Sequence, residues 1–123
     1  MLDQALIEKT GRPQFLDDEA FRCLRSGDYR AFNELAKKRQ VIDLSNCDLR
    51  TTDFRYVDLS NVVLRGSYLR DADLRGVDLY HLDLSGCSLH NAKISGTYFP
   101  PNITAEEIRL SHEFGTRLRA LSN

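Results

Sequence analysis

Long apolar runs are missing from this sequence of 123 residues, where none approaches the roughly 20 residues a membrane-spanning helix needs, so no membrane span is expected. The first residues, Asp3 and Glu8 among them, carry neither the basic nor the apolar region of a secretory signal, and the expected location is cytoplasmic. Cysteine is scarce and odd in number. Cys23, Cys47 and Cys87 stand at unrelated spacings, which favours reduced thiols over a disulfide framework. No segment has a dense field of one charge. Residues 1–40 hold eight Lys or Arg against seven acids, 41–101 six against eight, and 102–123 three against three; the sums of +1, −2 and 0 give the formal net charge of −1. That balance argues against direct nucleic-acid binding, and it is too weakly acidic for a convincing surrogate of DNA. A glycine-rich phosphate loop, a nucleophile elbow and an HExxH pair are also absent, so neither enzyme activity nor a cofactor is expected.

What the chain has in quantity is one five-residue phrase, repeated twelve times without insertion. The phrases centre on Leu44, Leu49, Phe54, Leu59, Leu64, Leu69, Leu74, Leu79, Leu84, Leu89, Ile94 and Phe99. A period of five drifts out of phase with both a helix and a flat strand. A coil with four short sides satisfies it, because every centre then faces one axis. The 20-residue period of such a coil is visible two residues before each centre. The first side reads Ile42, Val62, Leu82; the second Cys47, Ser67, Cys87; the third Thr52, Ala72, Ala92; the fourth Val57, Val77, Thr97. Size sorts by side, as packed columns require. Asn46, Asn61, Gly66, Asp71, Gly76, Gly86, Asn91 and Gly96 fall at the corners, where they tolerate tight backbone angles.

The phrases Cys47-Asp48-Leu49-Arg50, Ala72-Asp73-Leu74-Arg75 and Val77-Asp78-Leu79 resemble the A(D/N)LXX motif of the pentapeptide-repeat family, over about half the chain. The resemblance implies an all-β solenoid, a right-handed quadrilateral parallel β-helix of about three coils. Val63, Tyr68, Ser88, Lys93 and Tyr98 replace the usual Asp or Asn and are expected on its surface. At the ~4.8 Å spacing of paired strands, three coils stand only about 14 Å tall, so both ends need covers.

Residues 1–40 read as an N-terminal helical cap. A short helix is expected over Met1–Thr10, followed by a hairpin in which Phe21 and Leu24 share one face, Ser26-Gly27 breaks the run, and Asp28 caps a second helix bearing Tyr29, Phe32, Leu35 and Ala36. Residues 41–101 form the repeat body, stopped by Pro100-Pro101. Residues 102–123 read as a C-terminal helical cap opened by the capping box Thr104-Ala105-Glu106-Glu107, with Leu110, Phe114, Leu118 and Leu121 on one stripe and Gly115 able to bend it. The rival use of that stripe is a homodimer through the C-terminal helix.

The ionisable residues do not assemble a reactive centre. Cys47 and Cys87 lie in one inward column about 10 Å apart by strand stacking, too far for a disulfide or a shared zinc. His81 and His90 are expected to point outward and His112 to belong to the C-terminal helix, so no metal site is expected. Asp43, Asp48, Asp53, Asp58, Asp73, Asp78 and Asp83 recur because the motif recurs, and their expected role is bonding to water and backbone near corners, with Arg50, Arg55, Arg70 and Arg75 offsetting their charge.

The outer surface remains. The second side presents Asp48, Arg50, Tyr68, Arg70 and His90, rich in the residue types found at binding hot spots. The fourth side presents Asp58, Asp78 and Tyr98, with Tyr80 and His81 nearby. Either is a solvated face or a binding face. The leading reading is a non-enzymatic protein–protein interaction module with an unidentified protein partner, contacted through the second side; a neutralising partner of another bacterial protein is a special case. The alternative, which the resemblance suggests, is a DNA-mimicking regulator of type II topoisomerase (DNA gyrase).

Overall fold

A computed structural model of the chain describes residues 18–122. The helix expected over Met1–Thr10 lies outside the described residues. Two helices open the described part. Asp18 is extended and accepts the Ala20 N–H at 2.8 Å, starting α1 (Glu19–Ser26). Gly27, at φ 79°, ends it in the left-handed conformation that costs glycine little. Asp28 accepts the Ala31 N–H at 3.1 Å and starts α2 (Tyr29–Lys38), whose last turn carries Lys37 and Lys38 against the negative end of the helix dipole. Ala20, Phe21, Cys23, Leu24, Phe32 and Ala36 are buried and join one core with the repeat tract.

The tract makes very little regular strand. β1 (Ile42–Asp43) and β2 (Val62–Val63) pair in parallel with Ile42 opposite Val62, and elsewhere single parallel bridges join Asp48 to Tyr68, Asp53 to Asp73, Tyr68 to Ser88, Asp73 to Lys93 and Asp78 to Tyr98. Every one of these pairs is 20 residues apart, so the chain stacks on itself with a 20-residue turn.

The hydrogen bonds explain the five-residue phrase. The N–H of Leu44, Leu49, Phe54, Leu69, Leu74 and Leu79 each donates to a carbonyl 19 residues later, at 2.8–2.9 Å. The carbonyl of a centre closes the following corner instead, as when Leu49 accepts from Thr52 and Leu74 from Val77. The aspartate before a centre finishes the unit by accepting the N–H two residues on. All seven motif aspartates do so, from Asp43 to Ser45 through Asp83 to Ser85. One phrase thus supplies an inward anchor, a bond to the next coil and a self-capped corner.

Ten of the twelve centres are buried; Ile94 and Phe99, in the last coil, are half-buried. Left-handed backbone occurs at Asn46, Asp71, Asn91 and Gly66, Gly76, Gly86, Gly96. It also occurs at Thr51, whose hydroxyl bonds the Arg50 carbonyl at 2.6 Å, and it does not occur at Asn61. The expectation for Asn61 is corrected by its amide, which donates to Ala36 and Arg39 carbonyls at 2.9 and 2.8 Å and so ties the end of α2 to the first coil.

The C-terminal cap departs from a continuous helix. Thr104 accepts the Glu107 N–H and opens α3 (Ala105–Phe114), but Gly115, at φ 75°, ends it. The chain then runs extended, and Arg117 pairs antiparallel with Ser88 in the last coil. The single stripe of Leu110, Phe114, Leu118 and Leu121 does not exist. Leu118 is buried by the strap, whereas Phe114 and Leu121 are 67% and 60% exposed. Ile103, Glu107 and Ser111 are the buried residues at this end, with Ile108 packed against the core.

Candidate protein-interaction surface

On the second side the structure separates the five residues singled out from sequence. Asp48 is 6% exposed and is held by Arg50 at 3.0 Å, so it serves the coil more than the surface. His90 does not stand free: it packs under Gly115, and its Nδ1 is buried without a partner. Arg50 and Arg70 are exposed and Tyr68 is half-buried, with the Tyr68 phenol raising the pKa of the Arg70 guanidinium. Ser88, expected on the surface, is 5% exposed because the strap covers it. A groove of about 360 Å³ is left, floored by Ser67 and Ser88 and walled by Arg50, Tyr68, Gly115 and Arg117.

Sequence reasoning missed Gly115 and Arg117 as walls of this face. The only signal was the glycine after Phe114, read as a bend in a helix. The strap is held by backbone: Leu118 donates to Cys87 and Gly86 donates to Leu118, both at 2.8 Å, and Asn91 donates to His112. Ser111 and His112 add side-chain bonds to the Leu89 N–H and the Ala92 carbonyl at 2.9 Å.

The third side is internally neutralised. Arg55 reaches Asp53 at 2.9 Å and Asp73 at 3.3 Å across coils, while Arg75 reaches Asp73 at 2.7 Å. The bonds from Arg75, with help from Arg55, pull the Asp73 carboxyl down to about 2. Asp48 and Asp83 are also paired, the latter with Arg65 at 3.8 Å. Four of the seven motif carboxylates thus carry an arginine, which leaves no pair of free carboxylates poised over a pocket here.

The cysteines are free thiols. Burial pushes the Cys47 thiol up to about 12 and raises Cys87 as well, so neither is primed as a thiolate. Cys87 donates instead to the Leu64 carbonyl at 3.0 Å. Among the described residues no cluster of His, Cys, Asp and Glu suited to a metal is present, and no helix is long and apolar enough to cross a membrane.

Comparison with known proteins agrees with the ladder. Residues 42–71 and 67–99 match the family model for pentapeptide repeats, in eight copies. Neither a curated protein nor a solved structure matches the chain.

Proposed function

Since residues 42–99 belong to the pentapeptide-repeat family, we propose that they wind as a right-handed, quadrilateral β-helix of about three coils and act as a non-enzymatic protein–protein interaction module. The supporting observation is the ladder itself. Six bonds from centre N–H groups to carbonyls 19 residues on fix which side chains stand beside one another outside the core. A partner therefore meets a preorganised face and loses little conformational entropy to order it. The face assigned is the second side, now reduced to Arg50, Tyr68 and Arg70 beside the strap, with Asp48 as the internal partner of Arg50 and His90 beneath Gly115. Tyrosine and arginine are the residue types that dominate interface energetics.

The test is partner capture from lysate on immobilised protein, with Tyr68→Ala/Arg70→Ala as the control. A partner kept by the double variant sinks the second-side assignment. The DNA-mimic reading has less support, because arginines already occupy four motif carboxylates; inhibition of gyrase supercoiling by excess protein would reinstate it. Exposed Phe114 and Leu121 keep a dimer through the C-terminal end as a further proposal. A monomer in sedimentation at micromolar concentration removes it.

A further inference from the structure

Four of the chain's five tyrosines, Tyr29, Tyr56, Tyr80 and Tyr98, are on or beside the fourth side, and each is at least 37% exposed. Two already carry a cation: the Arg30 guanidinium lies 6.0 Å from the Tyr29 ring centroid and that of Arg55 lies 5.6 Å from Tyr56. Arg55 at the same time grips Asp53 through two nitrogens, Nε at 3.0 Å and Nη2 at 2.9 Å. The chain thus builds an arginine held between a carboxylate and a tyrosine ring.

That arrangement depends on an arginine two residues after the aspartate, as in Asp48–Arg50, Asp53–Arg55 and Asp73–Arg75. The fourth side breaks the rule. Asp58 is followed by Ser60, whose hydroxyl and N–H occupy its Oδ1 at 2.7 and 3.0 Å. Asp78 is followed by Tyr80, which gives only its N–H, to Oδ1 at 2.9 Å. Oδ2 of Asp78 has no donor, and the carboxylate no ion pair, among the described residues. Tyr98 is the register neighbour of Asp78 in the next coil and is 65% exposed, while Tyr80 is 50% exposed with His81 against it edge-on at 5.1 Å. Neither ring has a cation over it.

Space is present as well. Among the described residues no backbone bond joins 57–61 to 77–81, and a cleft of about 420 Å³ opens there, lined by Leu59, Ser60, Asp78, His81 and Leu82. At about 30 Å³ per water, it has room for a guanidinium and part of its stem.

We infer that the fourth side binds an arginine side chain from an exposed segment of a partner protein, with the guanidinium on Asp78 and against the rings of Tyr80 and Tyr98. The site is the chain's own Asp53–Arg55–Tyr56 arrangement with the arginine left out. Its chemistry is opposite to that of the second side, where Arg50 and Arg70 are the exposed groups. The inference shares with the reading above only the premise that the repeat surface meets protein.

The experiment is NMR of the full chain with ring-labelled tyrosine, titrated with the capped peptide Gly-Arg-Gly-Gly-Arg-Gly and with its lysine counterpart. The Tyr80 and Tyr98 rings should shift saturably with the arginine peptide, and the lysine peptide should bind about threefold or more weakly, because an ammonium neither forks nor stacks. Asp78→Asn retains an acceptor for the Tyr80 N–H, so it keeps the corner, and should weaken binding about fivefold or more. Tyr98→Ala, at an exposed position, should weaken it independently. Tyr68→Ala/Arg70→Ala should leave binding unchanged, which separates this site from the second-side face. Unmoved Tyr80 and Tyr98 rings, undiminished binding in Asp78→Asn, or equal binding of the two peptides overturns the inference.

Discussion

The two ends of the repeat body face the same problem and solve it differently. Each presents an open edge of backbone N–H and carbonyl groups and a layer of apolar centres. At the N-terminal end, α1 and α2 supply apolar side chains and a few amides that stand in for a missing coil: Asn33 donates to the Tyr56 carbonyl at 2.9 Å and accepts the Asp58 N–H at 2.8 Å. At the C-terminal end the cover includes an extended strap that pairs backbone to backbone with the last coil. The first end is closed by side chains and is therefore specified residue by residue. The second is closed by groups every residue possesses, so its closure depends on where the chain is steered, and Gly115 does the steering.

If the N-terminal lid is one core with the coils, its central aromatic should matter most. Phe32 is fully buried, and Phe32→Ala should lower the unfolding free energy by about 3–5 kcal/mol, read by urea denaturation. A loss under about 1 kcal/mol would mean that the lid folds apart from the coils, and the comparison would fail at that end. Asn33→Ala is the next largest change, at about 1–3 kcal/mol, because it strands both the Asp58 N–H and the Tyr56 carbonyl. Asn33→Asp should recover only part of that loss, since a carboxylate can accept from Asp58 but cannot donate to Tyr56.

This asymmetry sets how much was legible in the sequence. The N-terminal lid was readable because helices leave a side-chain signature: Asp28 as a cap, glycine as a stop, and Phe32, Leu35 and Ala36 at helical spacing. The repeat was readable for the same reason, each centre being apolar where the ladder turns it inward. The strap was not readable. Antiparallel pairing of Arg117 with Ser88 draws on main-chain groups, and Leu110, Phe114, Leu118 and Leu121 happen to keep a helical spacing the chain does not use. The candidate face inherited that gap. Asp48, Arg50, Tyr68, Arg70 and His90 align in sequence register, but only the position of the strap decides that His90 is covered and Tyr68 is not.

Gly115 offers a way to open one end alone. Its φ of 75° is strained for any residue with a Cβ, and that atom would sit 3.4 Å from Cβ and Cγ of His90. Gly115→Ala should cost about 1–2 kcal/mol. Hydrogen exchange should place the damage: the Gly86 and Leu118 N–H groups, bonded across the strap, should lose protection, while those of Ile42 and Leu44 at the other end should keep theirs. Equal loss at both ends would mean that the strap is no separate closure.

The smallest effect is the most selective, because it uses an ion pair found only at the strap. Glu107 accepts the Arg119 N–H at 2.9 Å and its guanidinium at 2.7 Å, and these bonds hold the Glu107 carboxyl below its ordinary value. A depressed folded pKa means that the stabilisation is complete above the unfolded value, about 4.3, and is lost as pH falls through the lower folded one. Acid should therefore loosen the strap before it loosens α2. Protection factors at Gly86 and Leu118 should drop on going from pH 5 towards pH 3 (roughly the window set by that depression) faster than those at Ile42 and Leu44. In Glu107→Gln the extra drop at the strap should vanish, because the amide does not titrate and its ion pair is already gone. An unchanged pH slope in that variant would assign the acid response to the arginine-bound aspartates of the third side, and the two ends would then differ in geometry but not in what opens them.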